Sequence, residues 1–116
     1  MNLEEFRNYC LQKKGATESL PFDESTLVFK VMGKIFALMS MEGEFTVNLK
    51  CDPDLAIELR EEYPAVLPGY HMSKVHWNTI IVNEVPTAKV LEWVDHSYSL
   101  VYNSLPKKLK AEWNQL

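Results

Sequence analysis

Four glycines, two cysteines and three histidines are all that this 116-residue chain offers to the chemistries that depend on them. With so little glycine there is no GxGxxG or Walker A loop to cradle a phosphate, and no GxSxG turn to present a nucleophile. Cys10 and Cys51 stand apart without CxxC spacing, and His71, His76 and His96 make no HExxH pair, so no metal site is expected. A basic surplus is missing as well: 12 Lys and Arg stand against 16 Asp and Glu, a net charge of −4. Proteins that live on phosphate contacts usually carry the opposite balance, so any nucleic-acid role needs a local basic patch. No apolar run approaches the ~20 residues of a membrane helix, and no signal-peptide pattern opens the chain. These absences lead to the expectation of a non-enzymatic cytoplasmic protein with reduced thiols, no cofactor and no place in a membrane.

What is present reads as one globular domain spanning 1–116, with 47% apolar and 24% charged residues. Asn2 with Glu5 three residues on makes a capping-box pattern ahead of Leu3, Phe6 and Cys10 at helical spacing, and Gly15 suits the stop. Thr17 to Ser25 reads as a connection ending in the turn-like Asp23-Glu24-Ser25. Three alternating stretches follow at Thr26–Met32, Ile35–Met41 and Phe45–Lys50, joined by tight turns at Gly33-Lys34 and Glu42-Gly43. Tight turns make neighbours antiparallel, because parallel strands need long crossovers. Asp52-Pro53 starts a second helix that Pro64 stops, and Lys74–Val82 reads as a fourth strand. Pro86 opens the longest helix, with Leu91, Val94, Tyr98, Val101, Tyr102 and Leu105 on one face. Pro106 breaks it before a short last helix carrying Leu109 and Trp113. The fold class is α+β: an antiparallel sheet, an N-terminal helix, and C-terminal helices packed on one face.

Two places offer side chains to a partner. One is the polar face of the strand meander, where Thr46, Asn48 and Lys50 must point together and Lys30 joins them in a compatible register. Such a face is either a solvated sheet surface or a set of contacts for phosphates and base edges. The other is GYHMSKVHWNT, Gly69 to Thr79, which crowds Tyr70, His71, Lys74, His76, Trp77 and Asn78 into one segment. It admits three readings: core aromatics with a backbone-bonded histidine, a binding surface with Lys74 and His76 on phosphate, or a small-ligand pocket. The candidate DNA contacts are therefore Lys30, Thr46, Asn48, Lys50, Lys74, His76 and Asn78. The candidate pocket residues are Tyr70, His71, His76 and Trp77.

Three stretches, PFDESTLVFKVMGKIFAL (Pro21–Leu38), YHMSKVHWNTI (Tyr70–Ile80) and SYSLVYNSLPKKLK (Ser97–Lys110), closely resemble the MmcQ/YjbR family of small bacterial proteins. The likeness spans nearly the whole chain, with Ser73 where the family pattern leads one to expect Asn. The resemblance implies the same α+β fold. It also implies a double-stranded DNA partner, since family members are labelled DNA-binding for a fold like the double-wing domain of a phage transcription factor. The alternative is a protein- or small-metabolite-binding module built around Tyr70, His71, His76 and Trp77.

Overall fold

A computed structural model of the chain describes residues 1–69 and 72–116. Helix α1 (Leu3–Leu11) starts as its sequence dictates. The Asn2 side chain accepts from the Glu5 amide at 2.8 Å, and the Glu5 carboxylate accepts from the Asn2 amide at 3.2 Å. Both bonds satisfy donors that a helix start leaves unpaired. Phe6 and Cys10, one turn apart, are wholly buried. Strands β1 (Ala16–Ser19), β2 (Thr26–Val31), β3 (Lys34–Ser40) and β4 (Thr46–Lys50) follow. Then come α2 (Pro53–Glu62), β5 (Val66–Pro68), β6 (Trp77–Ile81), a 3₁₀ turn at Val82–Glu84, α3 (Thr87–Asn103) and α4 (Lys107–Asn114).

The six strands form one sheet in the order β1-β2-β3-β4-β6-β5, every neighbouring pair antiparallel. The α+β architecture read from the sequence is the one observed. All the apolar partners of α3 lie on one side of this sheet. Val90, Trp93, Val94 and Val101 from α3 close over Phe29, Phe36, Met39, Val47 and Leu49. Phe6 meets Phe29 and Phe45 edge-on, with ring centroids 6.1 and 6.2 Å apart. Each such buried side chain is worth about 1.5–3 kcal/mol of removal from water. Ser97 is the polar exception on α3. Its hydroxyl donates to the Phe36 carbonyl at 2.6 Å and accepts from the Lys50 amide at 2.9 Å, tying the helix to two strands.

Three local expectations are corrected. The β2–β3 turn is Met32-Gly33, with φ of 50° and 83°, not Gly33-Lys34; two positive φ values match the right-handed twist of a hairpin. Ala16–Ser19, which overlaps the connection expected from Thr17, and Val66–Pro68, where no strand is expected from the sequence, are the two edge strands of the sheet. The fourth expected strand begins at Trp77, because the His76 amide closes a turn onto the Ser73 carbonyl at 3.3 Å. Among the described residues no helix is long and apolar enough to cross a membrane.

Candidate functional site

The face of the sheet turned away from the helices is the open one. Its rows follow from the register. Val28 pairs with Leu38, Leu38 with Asn48 and Asn48 with Thr79, while Thr26 pairs with Ser40, Thr46 with Ile81 and Lys50 with Trp77. Alternation therefore puts Thr46, Asn48 and Lys50 on this face together, as expected from the sequence, and Lys30 joins them from β2. Val28, Leu38 and Trp77 form a second, smaller buried cluster here, with Ile35 and Met72 packed against it.

Beside that cluster lies a cleft of about 520 Å³. Among the described residues it is lined by Phe22, Asp23, Thr26, Leu38, Ser40, Thr46, Asn48, Met72 and Thr79. The sheet supplies the floor, and the 21–25 loop and Met72 rise as walls. The volume falls in the ordinary range for small-molecule sites. The lining combines apolar Phe22, Leu38 and Met72 with five neutral hydrogen-bonding side chains and one carboxylate. The Thr79 hydroxyl donates to Asn48 Oδ1 at 2.6 Å, which leaves the Asn48 amide nitrogen as a donor. The Ser40 hydroxyl donates to the Glu42 carbonyl at 2.9 Å.

Asp23 shapes the loop that makes the wall. Its Oδ1 accepts from the Ser25 amide at 2.9 Å, the Ser25 hydroxyl at 3.0 Å and the Thr26 amide at 2.8 Å. These bonds, the Ser25 amide foremost, hold its carboxyl below the usual carboxylate range. The sign follows: its contribution to stability is present above the ordinary carboxylate pKa and fades as the pH falls through the lowered one. Phe22 beside it is 65% exposed, an uncommon position for a large apolar ring.

The lysine and histidine candidates lie at the other end of the same face. Lys30 and Lys50 flank β3 there, and exposed Lys74 and His76 sit in the turn that leads into β6. None of the four is among the described lining of the cleft. Asn78 is a correction. It is 2% exposed and faces the helices, accepting from Arg60 Nε at 2.7 Å and donating to the Ala56 carbonyl at 3.4 Å, so it cannot reach DNA. Trp77 is 9% exposed, a cluster residue and not an open aromatic platform. Tyr70 and His71 lie outside the described residues. The structure thus keeps Thr46 and Asn48 together at the cleft, places Lys30, Lys50, Lys74 and His76 beyond it, and removes Asn78.

Neither thiol is poised for reaction. Burial, followed by the charge of Asp52, pushes the Cys51 thiol up to about 11, and burial raises Cys10 further. His96 accepts the Asp52 amide at 3.2 Å. Among the described residues no group of three His, Cys, Asp or Glu side chains could hold a metal ion.

Comparison with known proteins adds the following. Residues 11–100 match the family model described as YjbR. Uncharacterized protein YjbR of Escherichia coli K12 is 34% identical over 118 residues, covering all of both chains. Uncharacterized protein YbdF of Escherichia coli O157:H7 is 38% identical over 76% of this chain and 74% of its own. Among solved structures, the Deinococcus radiodurans protein DR2400, described as a DUF419 domain, superposes with a TM-score of 0.91 at 32% identity. That match covers 97% of this chain and 88% of the other. A Pseudomonas syringae protein gives a TM-score of 0.75 at 25% identity, over 87% of this chain and 99% of its own.

Proposed function

We propose that this chain, which belongs to the YjbR family, is a cytoplasmic, non-enzymatic module that binds a small metabolite in the cleft on its open sheet face. The observation that carries the reading is the cleft itself: about 520 Å³, part apolar, with hydrogen-bonding groups converging from four strands. Two of the three stretches that carry the family resemblance supply floor and wall residues, Phe22, Asp23, Thr26 and Leu38 from the first and Met72 and Thr79 from the second. Two buried, unpaired thiols fit a reducing compartment.

A screen of metabolites by thermal shift tests it, since a ligand that binds the folded state alone stabilises it by mass action, about 2.7 kcal/mol at a hundredfold excess over Kd. Thr46→Trp fills the cleft while keeping a residue suited to a strand. We expect it to fold with a nearly unchanged midpoint and to lose all stabilisation by any hit. Hits that stabilise this variant as well as the parent would move binding elsewhere.

DNA binding is the second reading, supported by Lys30, Lys50, Lys74 and His76 sharing one end of a solvent-facing sheet. It weighs less because the chain carries a net charge of −4 and two of those lysines are half-buried. Fluorescence anisotropy with a random duplex decides it. Under this reading Lys74→Ala lowers the slope of log K against log salt by about one. No binding at low salt ends the reading.

A further inference from the structure

We infer that the cleft accepts a small organic ammonium ion, its nitrogen set against Asp23 and its apolar body laid on Leu38, Met72 and Phe22. This rests on the reading of the cleft as a ligand site and adds the chemical class of the ligand.

Charge carries the argument. Asp23 is the one charged side chain among the described residues that line the cleft. Phosphates and carboxylates are held by Arg, Lys or clusters of N–H groups, and here the lysines of the open face lie at its opposite end. An anionic ligand would meet Asp23 with no cationic side chain among the described lining residues to offset the repulsion. A cationic one meets a carboxylate with an acceptor still to give. The bonds to Asp23 from the Ser25 amide, the Ser25 hydroxyl and the Thr26 amide all end on Oδ1, and a carboxylate has a second oxygen with which to accept.

The remaining groups refine the shape. Asn48 has its carbonyl oxygen engaged by Thr79, so its amide nitrogen is left to donate to a hydroxyl or carbonyl oxygen of the ligand. Leu38 at the floor continues the Trp77 cluster, and Met72, packed against that cluster, offers a thioether that adapts to irregular apolar shapes. Exposed Phe22 beside Asp23 gives the ammonium a ring face at the rim. An amine with an apolar chain and one neutral oxygen matches all of these at once.

The test uses three fragments that share a body and differ in charge: 3-phenylpropylamine, 3-phenylpropanol and 3-phenylpropanoate. Each is titrated into the ¹⁵N-labelled full chain at fixed ionic strength. The amine should shift the backbone amides of Thr26, Ser40, Thr46, Asn48 and Thr79. It should bind about three- to tenfold tighter than the alcohol, with the carboxylate weakest, as one charge-assisted contact at an exposed rim allows. That preference should shrink with added salt. Asp23→Asn keeps an oxygen for the Ser25 and Thr26 amides, so the loop persists. It should abolish the amine's advantage over the alcohol. If the alcohol or the carboxylate binds in the cleft as tightly as the amine, the ammonium inference falls and the ligand site stands. An amine preference that survives Asp23→Asn overturns the role of Asp23. No cleft shifts with any of the three would sink the ligand site together with the inference.

Discussion

Arg60→Ala is expected to lower stability by about 3 kcal/mol, and the thermal midpoint by roughly 10 °C, because it strips a charged donor from several acceptors at once. From α2, the guanidinium reaches across to the start of β6. Nε donates to Asn78 Oδ1 at 2.7 Å, while Nη2 donates to the Trp77 carbonyl at 3.2 Å and to the Lys74 carbonyl. With alanine, the 2%-exposed Asn78 keeps its bond to Ala56 but loses the partner of its own oxygen. Leaving a buried acceptor unmade costs more than forming the bond gains, which is why the single change is so damaging. Arg60→Lys should recover less than half of the loss, since an ammonium cannot present a planar fork to acceptors in different directions.

The same change should be felt in the cleft. Lys74 lies two residues from the Met72 wall, and its carbonyl is one of the points at which Arg60 holds the turn before β6. Amide exchange of residues 74–78 should quicken in the Arg60→Ala variant, and stabilisation by any cleft ligand should fall even where the chain stays folded. A midpoint loss of under about 2 °C with unchanged exchange would make the Arg60 contacts incidental.

The fold was legible where one face of an element is apolar and the other wet. Phe45, Val47 and Leu49 against Thr46, Asn48 and Lys50 can be satisfied only by a half-buried strand, and that is β4. Asp52-Pro53 worked for a similar reason: the Asp52 carboxylate accepts the Leu55 amide at 3.2 Å. The edge strands escaped because each breaks its own pattern. In β1 the position facing α1 is Glu18, whose charge is met by Arg7 Nε at 2.7 Å, so an inward residue reads as an outward one. In β5 a proline closes a three-residue strand, which an edge tolerates and a sequence scan takes for a loop.

The site was legible in half. Alternation alone brought Thr46 and Asn48 to one face. It could not show that the 21–25 loop folds over that face, because the loop's Asx turn is local while the wall it builds is not. Asn78 misled for the opposite reason. All four residues from Trp77 to Ile80 are buried, so β6 has no wet face for polarity to report. Its asparagine points to the helices because Arg60, eighteen residues earlier, was there to bond it. A buried polar pair and a surface polar residue look alike until the partner is placed.

Trp77→Ala should cost about 3–5 kcal/mol, the range for truncating a large buried ring. The residue holds its place from both sides. Its ring closes the cluster with Val28 and Leu38 on the open face, and its carbonyl accepts from the Gly69 amide at 2.9 Å and from Arg60. Glycine at 69 is what lets β5 come so near: a Cβ there would stand 2.7 Å from Trp77 Cβ. Removing the ring leaves Leu38, the floor of the cleft, without its cover, so stability and cleft should fail together. Trp77→Phe separates the two roles. It keeps a ring in the cluster, and we expect it to fold with about 1–2 kcal/mol lost and to retain ligand-dependent stabilisation. If Trp77→Phe folds as stably as the parent yet no longer responds to a cleft ligand, Trp77 touches that ligand itself. The pocket expected around Trp77 and the cleft seen beside it would then be one site.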